Sequence, residues 1–86
     1  MKINGKLIKG VRIAKEANTE IVDEKLSYTE LLEQCLIKIC GEMDIPVPLW
    51  LKKNTKEFVR YRKTSFSNEQ FVEKISFDRF EIKVEE

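Results

Sequence analysis

The chain of 86 residues contains no histidine. Histidine is the commonest general base, the commonest metal ligand and the side chain that titrates nearest to neutral pH, so these roles lack their usual residue. Glycine is also scarce, with three residues, and no glycine-rich phosphate loop or nucleophile-elbow motif occurs. We therefore predict no catalytic residue, no metal site and no cofactor, and an enzyme of unassigned class is the least favoured interpretation.

Cysteine is limited to Cys35 and Cys40, five residues apart within one helical pattern. This spacing turns the two thiols to different sides of a helix, prevents a disulfide between them and matches no zinc-binding motif. Buried structural residues are favoured over nucleophiles, because no histidine could activate either thiol. Free thiols, and an N-terminus without the apolar segment of a secretory signal, predict a cytoplasmic location.

Long hydrophobic runs are missing as well. The longest uncharged apolar run, residues 45–51, is seven residues long, whereas a membrane-spanning helix needs about 20. Apolar residues make up 42% of the chain and charged residues 36%, with a net charge of +1. Because this balance is typical of a globular domain, we predict one domain over residues 1–86 with no membrane partner.

Periodicity and capping signals predict the secondary structure. Residues 1–22 alternate like strands, with a hairpin turn at residues 9–10, where Gly10 can take a positive φ. Ser27 and Glu30 form a capping box that starts a helix, and Gly41 is a suitable end for it. Weaker capping pairs start two more helices, residues 63–66 between them are extended, and the C-terminal strand over 75–84 changes parity at residues 78–79, which predicts a bulge or bend.

The predicted fold class is α+β. A small, mainly antiparallel sheet is formed by the N-terminal hairpin and the C-terminal strand. One amphipathic helix (about 28–41) and two short helices (about 55–62 and 68–73) pack against this sheet. The apolar stripe of the first helix is expected to form the centre of the core.

Basic charge is concentrated in residues 52–63, which hold six basic and one acidic side chains, a net charge of +5. Such a segment can bind nucleic acid by neutralising phosphates. The alternative, favoured by the near-zero net charge of the whole chain, is a solvated helix face opposite the acidic residues 16–44. The candidate nucleic-acid residues are Lys52, Lys53, Lys56, Arg60 and Lys63, and the spacing of the last three predicts a stripe on one helix.

The apolar segment 45–51 contains two prolines one residue apart, which stiffen it towards an extended conformation. If Val47, Leu49 and Trp50 are exposed, they form a patch for a protein partner or for a second copy of the chain. The alternative, which we favour, is a rigid connector whose apolar side chains close one end of the core.

Three segments carry a family resemblance: DIPVPLWLKKNTKEF at 44–58, SFSNEQF at 65–71 and FDRFEI at 77–82. With them, the chain resembles a set of short uncharacterised single-domain proteins from low-GC Gram-positive bacteria. The resemblance implies a compact, stand-alone cytoplasmic domain and assigns no functional residue. The favoured function is a non-enzymatic interaction protein of unknown partner, and the alternative is a weak nucleic-acid binder that uses residues 52–63.

Overall fold

A computed structural model of the chain describes residues 1–85 and shows an α+β fold. Four antiparallel strands form one sheet in the order β2-β1-β4-β3, and two helices pack on it. The elements are β1 (Lys2–Lys9), β2 (Arg12–Glu20), α1 (Tyr28–Met43), α2 (Lys52–Tyr61), β3 (Lys63–Ser67), a 3-10 turn (Asn68–Gln70) and β4 (Arg79–Val84). The predicted fold class and the N-terminal hairpin are therefore confirmed.

The hairpin turn lies one residue later than predicted. Lys9 pairs with Arg12, so the turn residues are Gly10 and Val11, and Gly10 has a φ of 64° that favours glycine. The Gly10 amide donates a hydrogen bond of 2.6 Å to the Asp78 carboxylate, which links the turn to the segment before β4. This segment, residues 75–78, is not a strand. The change of parity at residues 78–79 therefore marks the start of β4 rather than a bulge or bend within a longer strand.

Both helices pack on the same face of the sheet. Gly5, Ile82 and Thr64 lie in one row across β1, β4 and β3, so they share a face. Gly5 lies under α1, where a Cβ atom would meet the Ile39 side chain at 2.8 Å. The Thr64 hydroxyl bonds to α2 through Asn54. The core between the helices and this face contains Ile3, Leu7, Cys35, Leu36, Ile39, Cys40, Met43, Phe58, Phe66, Phe71, Phe77, Phe80, Ile82 and Val84.

A buried polar network fixes α2 to the rest of the chain. The Asn54 side chain is fully buried, and its Oδ1 accepts hydrogen bonds from the Leu51 amide and from Gln70 Nε2. Its Nδ2 donates to the Thr64 hydroxyl and to the Ser65 carbonyl. Since all four hydrogen-bonding positions of this amide are used, the network joins four chain segments without an unpaired buried group.

Three predicted helix boundaries are corrected by the structure. The first helix continues past Gly41 to bury Met43, and it ends at Asp44 in the left-handed conformation. The second helix spans Lys52–Tyr61 rather than 55–62, because Asn54 caps the chain from inside the first turn instead of preceding the helix. The predicted helix over 68–73 is one 3-10 turn, since Phe71 is already extended.

The predicted sheet, made of the N-terminal hairpin and the C-terminal strand, is also one strand short of the observed sheet. Residues 63–67 form β3, which pairs with β4, because Thr64 and Phe66 alternate inward into the core. Arg62 ends α2 in the left-handed conformation and turns the chain into this strand. Within residues 1–85, neither helix is long and apolar enough to cross a membrane.

Candidate binding surfaces

The extended segment 45–51 divides the predicted partner patch between two sides of the molecule. Val47, Leu49 and Leu51 are each about half exposed, whereas Pro48 between them is buried and Trp50 is partly buried. The Leu49 amide donates to the Gln70 carbonyl at 2.7 Å, which fixes the course of the segment. Val47 and Leu49 thus form an exposed strip with Leu51, and Trp50 belongs to a different surface.

Trp50 is directed towards the helices. Its ring lies 5.9 Å from the Phe58 ring, nearly perpendicular to it, and 5.7 Å from the Phe66 ring. The indole N–H donates a hydrogen bond of 2.8 Å to the Thr55 hydroxyl. Trp50 therefore closes one end of the core, as expected for a rigid connector. Val47 and Leu49, the other two residues of the predicted patch, are exposed.

An apolar groove separates the beginning of α1 from α2, and we name it the interhelical groove. It has a volume of about 420 Å³ and is lined by Tyr28, Thr29, Leu32, Glu33, Leu36, Trp50, Thr55, Phe58 and Val59. Leu36 and Phe58 are buried, whereas Tyr28 and Val59 are exposed. The apolar stripe predicted for the first helix includes Tyr28 and Leu32. In the structure Tyr28 is exposed and Leu32 is only partly buried, because the stripe is wider than the surface that covers it.

The charged residues near the interhelical groove differ between the two helices. Glu33 on α1 is the one charged residue in the lining that the structure describes. On α2, Lys52 and Lys56 lie one turn before the groove residues Thr55 and Val59 but outside the lining itself. A ligand in the groove therefore meets the Glu33 carboxylate, and it reaches the ammonium groups of α2 only if it extends beyond the lining.

The five predicted nucleic-acid residues are all exposed, but they do not form one helical stripe. Lys52, Lys56 and Arg60 are spaced by four residues along α2, and Lys53 lies in its first turn. Because α2 ends at Tyr61, Lys63 belongs to β3 and pairs directly with Lys83 of β4. These two lysines lie on the face of the sheet opposite the helices, since Thr64 of the same strand faces α2.

Tyr61 and Lys83 were missed by the sequence reasoning. The Tyr61 ring is 57% exposed, and the Arg60 guanidinium lies 5.5 Å from its centroid. On a helix, Tyr61 points with Phe58 away from the stripe of basic residues, as a core residue would, so the pattern does not predict its exposure. For Lys83 the only sequence signal is its alternation with buried Ile82 and Val84.

The two cysteines and the acidic residues are the remaining candidates for catalysis or metal binding. Cys35 and Cys40 are both buried, as predicted, and burial raises the pKa of the Cys40 thiol to about 12. Burial disfavours the thiolate, which is the nucleophilic form. Among residues 1–85, no group of three or more Cys, Asp or Glu side chains could hold a metal ion.

Comparison with known protein families, with curated proteins and with solved structures finds no match to this chain. The function is therefore inferred from the surfaces of the fold itself.

Proposed function

We propose that this protein is a non-enzymatic interaction protein that holds an apolar side chain of a partner protein in the interhelical groove. The observation that carries the proposal is the volume of about 420 Å³ lined by Leu32, Leu36, Trp50 and Phe58. Pockets that bind ligands have volumes of about 300–1,000 Å³ and mainly apolar linings. Aromatic walls of this kind hold the anchor side chains that contribute most of the binding free energy at interfaces.

The charge of the groove edges specifies the chemistry of the partner. A groove between two helices can hold an amphipathic helix, whose apolar side chains enter at positions i, i+3, i+4 and i+7. Since Glu33 lines the groove on α1 while Lys52 and Lys56 lie on α2 beyond the lining, a partner helix that covers both would carry cations along the flank next to α1 and anions along the flank next to α2. Complementary charges of this kind fix the direction in which a helix lies.

A different protein fits the groove better than a second copy of this chain. The apolar face of α1 is already buried against the sheet, and Ile37 is the exposed apolar residue on its opposite side. The outward face of α2 offers Val59 among basic residues. Neither helix can present a complete apolar stripe to another copy, so self-association is an outcome of the test rather than the proposal.

Trp50 provides the measurement, because it is the only tryptophan and lines the groove. The probe is a helical model peptide of about 15 residues with leucines at i, i+3, i+4 and i+7, lysines on one flank and glutamates on the other. We expect the peptide to change Trp50 emission saturably, and a peptide with exchanged flanks or scrambled leucines to bind at least about tenfold more weakly.

Two exposed valines supply matched variants. Val59 at the groove is 78% exposed and Val72 outside it is 86% exposed, so an aspartate at either site should leave the fold intact. Val59→Asp should abolish peptide binding and Val72→Asp should not. Equal binding by both variants, or association of the free protein on concentration from nanomolar to micromolar, would contradict a groove that binds a separate partner.

A second candidate function is nucleic-acid binding through α2. The observation that favours it is the exposure of Lys52, Lys53, Lys56 and Arg60 on one helix of ten residues. Four phosphate contacts on a duplex give a slope of about −3.6 for the logarithm of affinity against the logarithm of salt concentration. Titration with duplex DNA and with structured RNA at 50 and 200 mM salt tests this function, which fails if neither binds at 50 mM.

The location that we propose is the cytoplasm. Cys35 and Cys40 form no disulfide in the fold, which is compatible with a reducing compartment. The resemblance to short proteins of low-GC Gram-positive bacteria supports the same location and adds no partner.

A further inference from the structure

Two arrangements of basic side chains in this protein oppose the stability of the fold. Helix α2 begins with Lys52 and Lys53 and has no acidic residue in its first turn, although cations are unfavourable at the positive end of a helix dipole. Lys63 and Lys83 are directly opposite in β3 and β4, where like charges repel, and Glu81 belongs to the next pair on the same face of the sheet. Local arrangements that disfavour folding are expected where function requires them.

Tyr61 is the last residue of α2, two residues before Lys63. Its ring is 57% exposed, and the Arg60 guanidinium covers it at 5.5 Å from the centroid. It helps to line a shallow cavity of about 150 Å³, to which Lys63 contributes a cation and Glu57 and Glu81 contribute carboxylates. An exposed aromatic ring next to cations is an arrangement on which proteins stack the bases of single-stranded nucleic acids.

We infer that single-stranded nucleic acid binds along the surface formed by Lys52, Lys53, Lys56, Arg60, Tyr61, Lys63 and Lys83, with one base stacked on Tyr61. We name this surface the basic belt. The inference rests on the second candidate function and names the form of nucleic acid that the protein binds. A duplex does not offer the faces of its internal bases to a side chain, whereas every base of a single strand does.

The shape of the basic belt selects a flexible ligand. Helix α2 lies on one face of the sheet, and Lys63 and Lys83 lie on the other, so the belt passes around the edge strand β3. The part on α2 is about 15 Å long. A flat anionic bilayer cannot contact both faces of a sheet edge, and a DNA duplex is stiff over about 150 base pairs. A single strand can bend around this edge.

The experiment measures fluorescence anisotropy of labelled 12-nucleotide oligothymidylate and oligouridylate, a 12-base-pair duplex, and sedimentation with vesicles containing 30% phosphatidylserine. We expect the single strands to bind at least about tenfold more tightly than the duplex. With four to six phosphates neutralised, the slope of log affinity against log salt should be about −3 to −4. Replacing both Lys63 and Lys83 with glutamine should make this slope less steep by about 1.4.

Variants at residue 61 separate stacking from charge. Tyr61→Ala should weaken binding of single strands by about 5- to 150-fold, the usual range for a stacked base, while Tyr61→Phe should bind as the parent protein does. Lys25→Gln, at an exposed lysine in the loop before α1, is the charge control and should leave affinity unchanged.

The outcomes distinguish this inference from the function on which it rests. If the duplex binds as tightly as single strands and Tyr61→Ala has no effect, nucleic-acid binding stands and base stacking is refuted. If no oligonucleotide binds at 50 mM salt, both are refuted. Binding to the vesicles in preference to every oligonucleotide would show that a lipid surface is the anionic ligand and would also overturn the inference.

Discussion

Replacing Gly5 with alanine tests the packing of α1 on the sheet. In the native backbone the added Cβ would lie 2.8 Å from Ile39 Cδ1 and 3.0 Å from Phe80 Cε1, with Met43 Sδ at 3.4 Å. Inserting a methyl group into a well-packed core costs about 1–3 kcal/mol. Alanine also restricts the unfolded chain, which offsets about 0.4–1 kcal/mol of that cost. We therefore expect Gly5→Ala to lower the free energy of unfolding by about 1–2 kcal/mol.

For a domain of this size, that loss lowers Tm by about 5–15 °C. Thermal unfolding followed by circular dichroism and urea unfolding followed by Trp50 fluorescence measure it. Gly41→Ala is the matched control: Gly41 is exposed within α1, a Cβ there meets no atom within 4 Å, and alanine should stabilise the protein by about 1 kcal/mol.

The contact with Ile39 gives a second check. Ile39→Val removes Cδ1, the atom closest to the added methyl group, so Gly5→Ala should cost less in that background than in the parent protein. A Gly5→Ala protein as stable as the parent would refute the conclusion that the absence of a side chain at this position sets the distance between α1 and the sheet.

Three further predictions concern stability. Asn54→Leu leaves the Leu51 amide and Gln70 Nε2 without their buried acceptor, so urea unfolding should show a loss of at least about 2 kcal/mol. Ser27→Ala removes one bond of the capping box of α1 and should cost about 1 kcal/mol by the same measurement, whereas Ser76→Ala outside any helix should cost little. Because burial raises the pKa of Cys40 to about 12, the folded state keeps a proton that the unfolded chain loses from about pH 9 upwards. Stability should therefore fall between pH 9 and 12, and the fall should be smaller in Cys40→Ala.

Features set by neighbouring residues could be predicted from the sequence. The start of α1 depends on a capping box between Ser27 and Glu30, four consecutive residues of chain, and the structure has both of its hydrogen bonds. The hairpin also forms within a short stretch, where the turn needs a positive φ and Gly10 provides it. In both cases the interaction that decides the structure is visible in the local pattern.

Features set by distant residues could not be predicted in this way. The end of α2 is at Arg62, which takes a left-handed conformation although no glycine or asparagine marks the position. This single residue moves Lys63 from a helical stripe to the opposite face of the sheet. The direction of Trp50 likewise depends on Phe66, which lies on a strand that the sequence did not place in the sheet.

The position of β4 in the sheet has a consequence for the time at which the protein can fold during synthesis. β4 is the last of the four strands along the chain, yet it lies between β1 and β3 and is the neighbour that connects them. A nascent chain that ends before Arg79 contains the sequences of both helices and of β3, but it lacks the strand that joins the hairpin to β3. A chain of this length should lack a continuous sheet and expose the apolar surfaces that β4 covers. Native structure should then appear in one late step, once the final strand has left the exit tunnel.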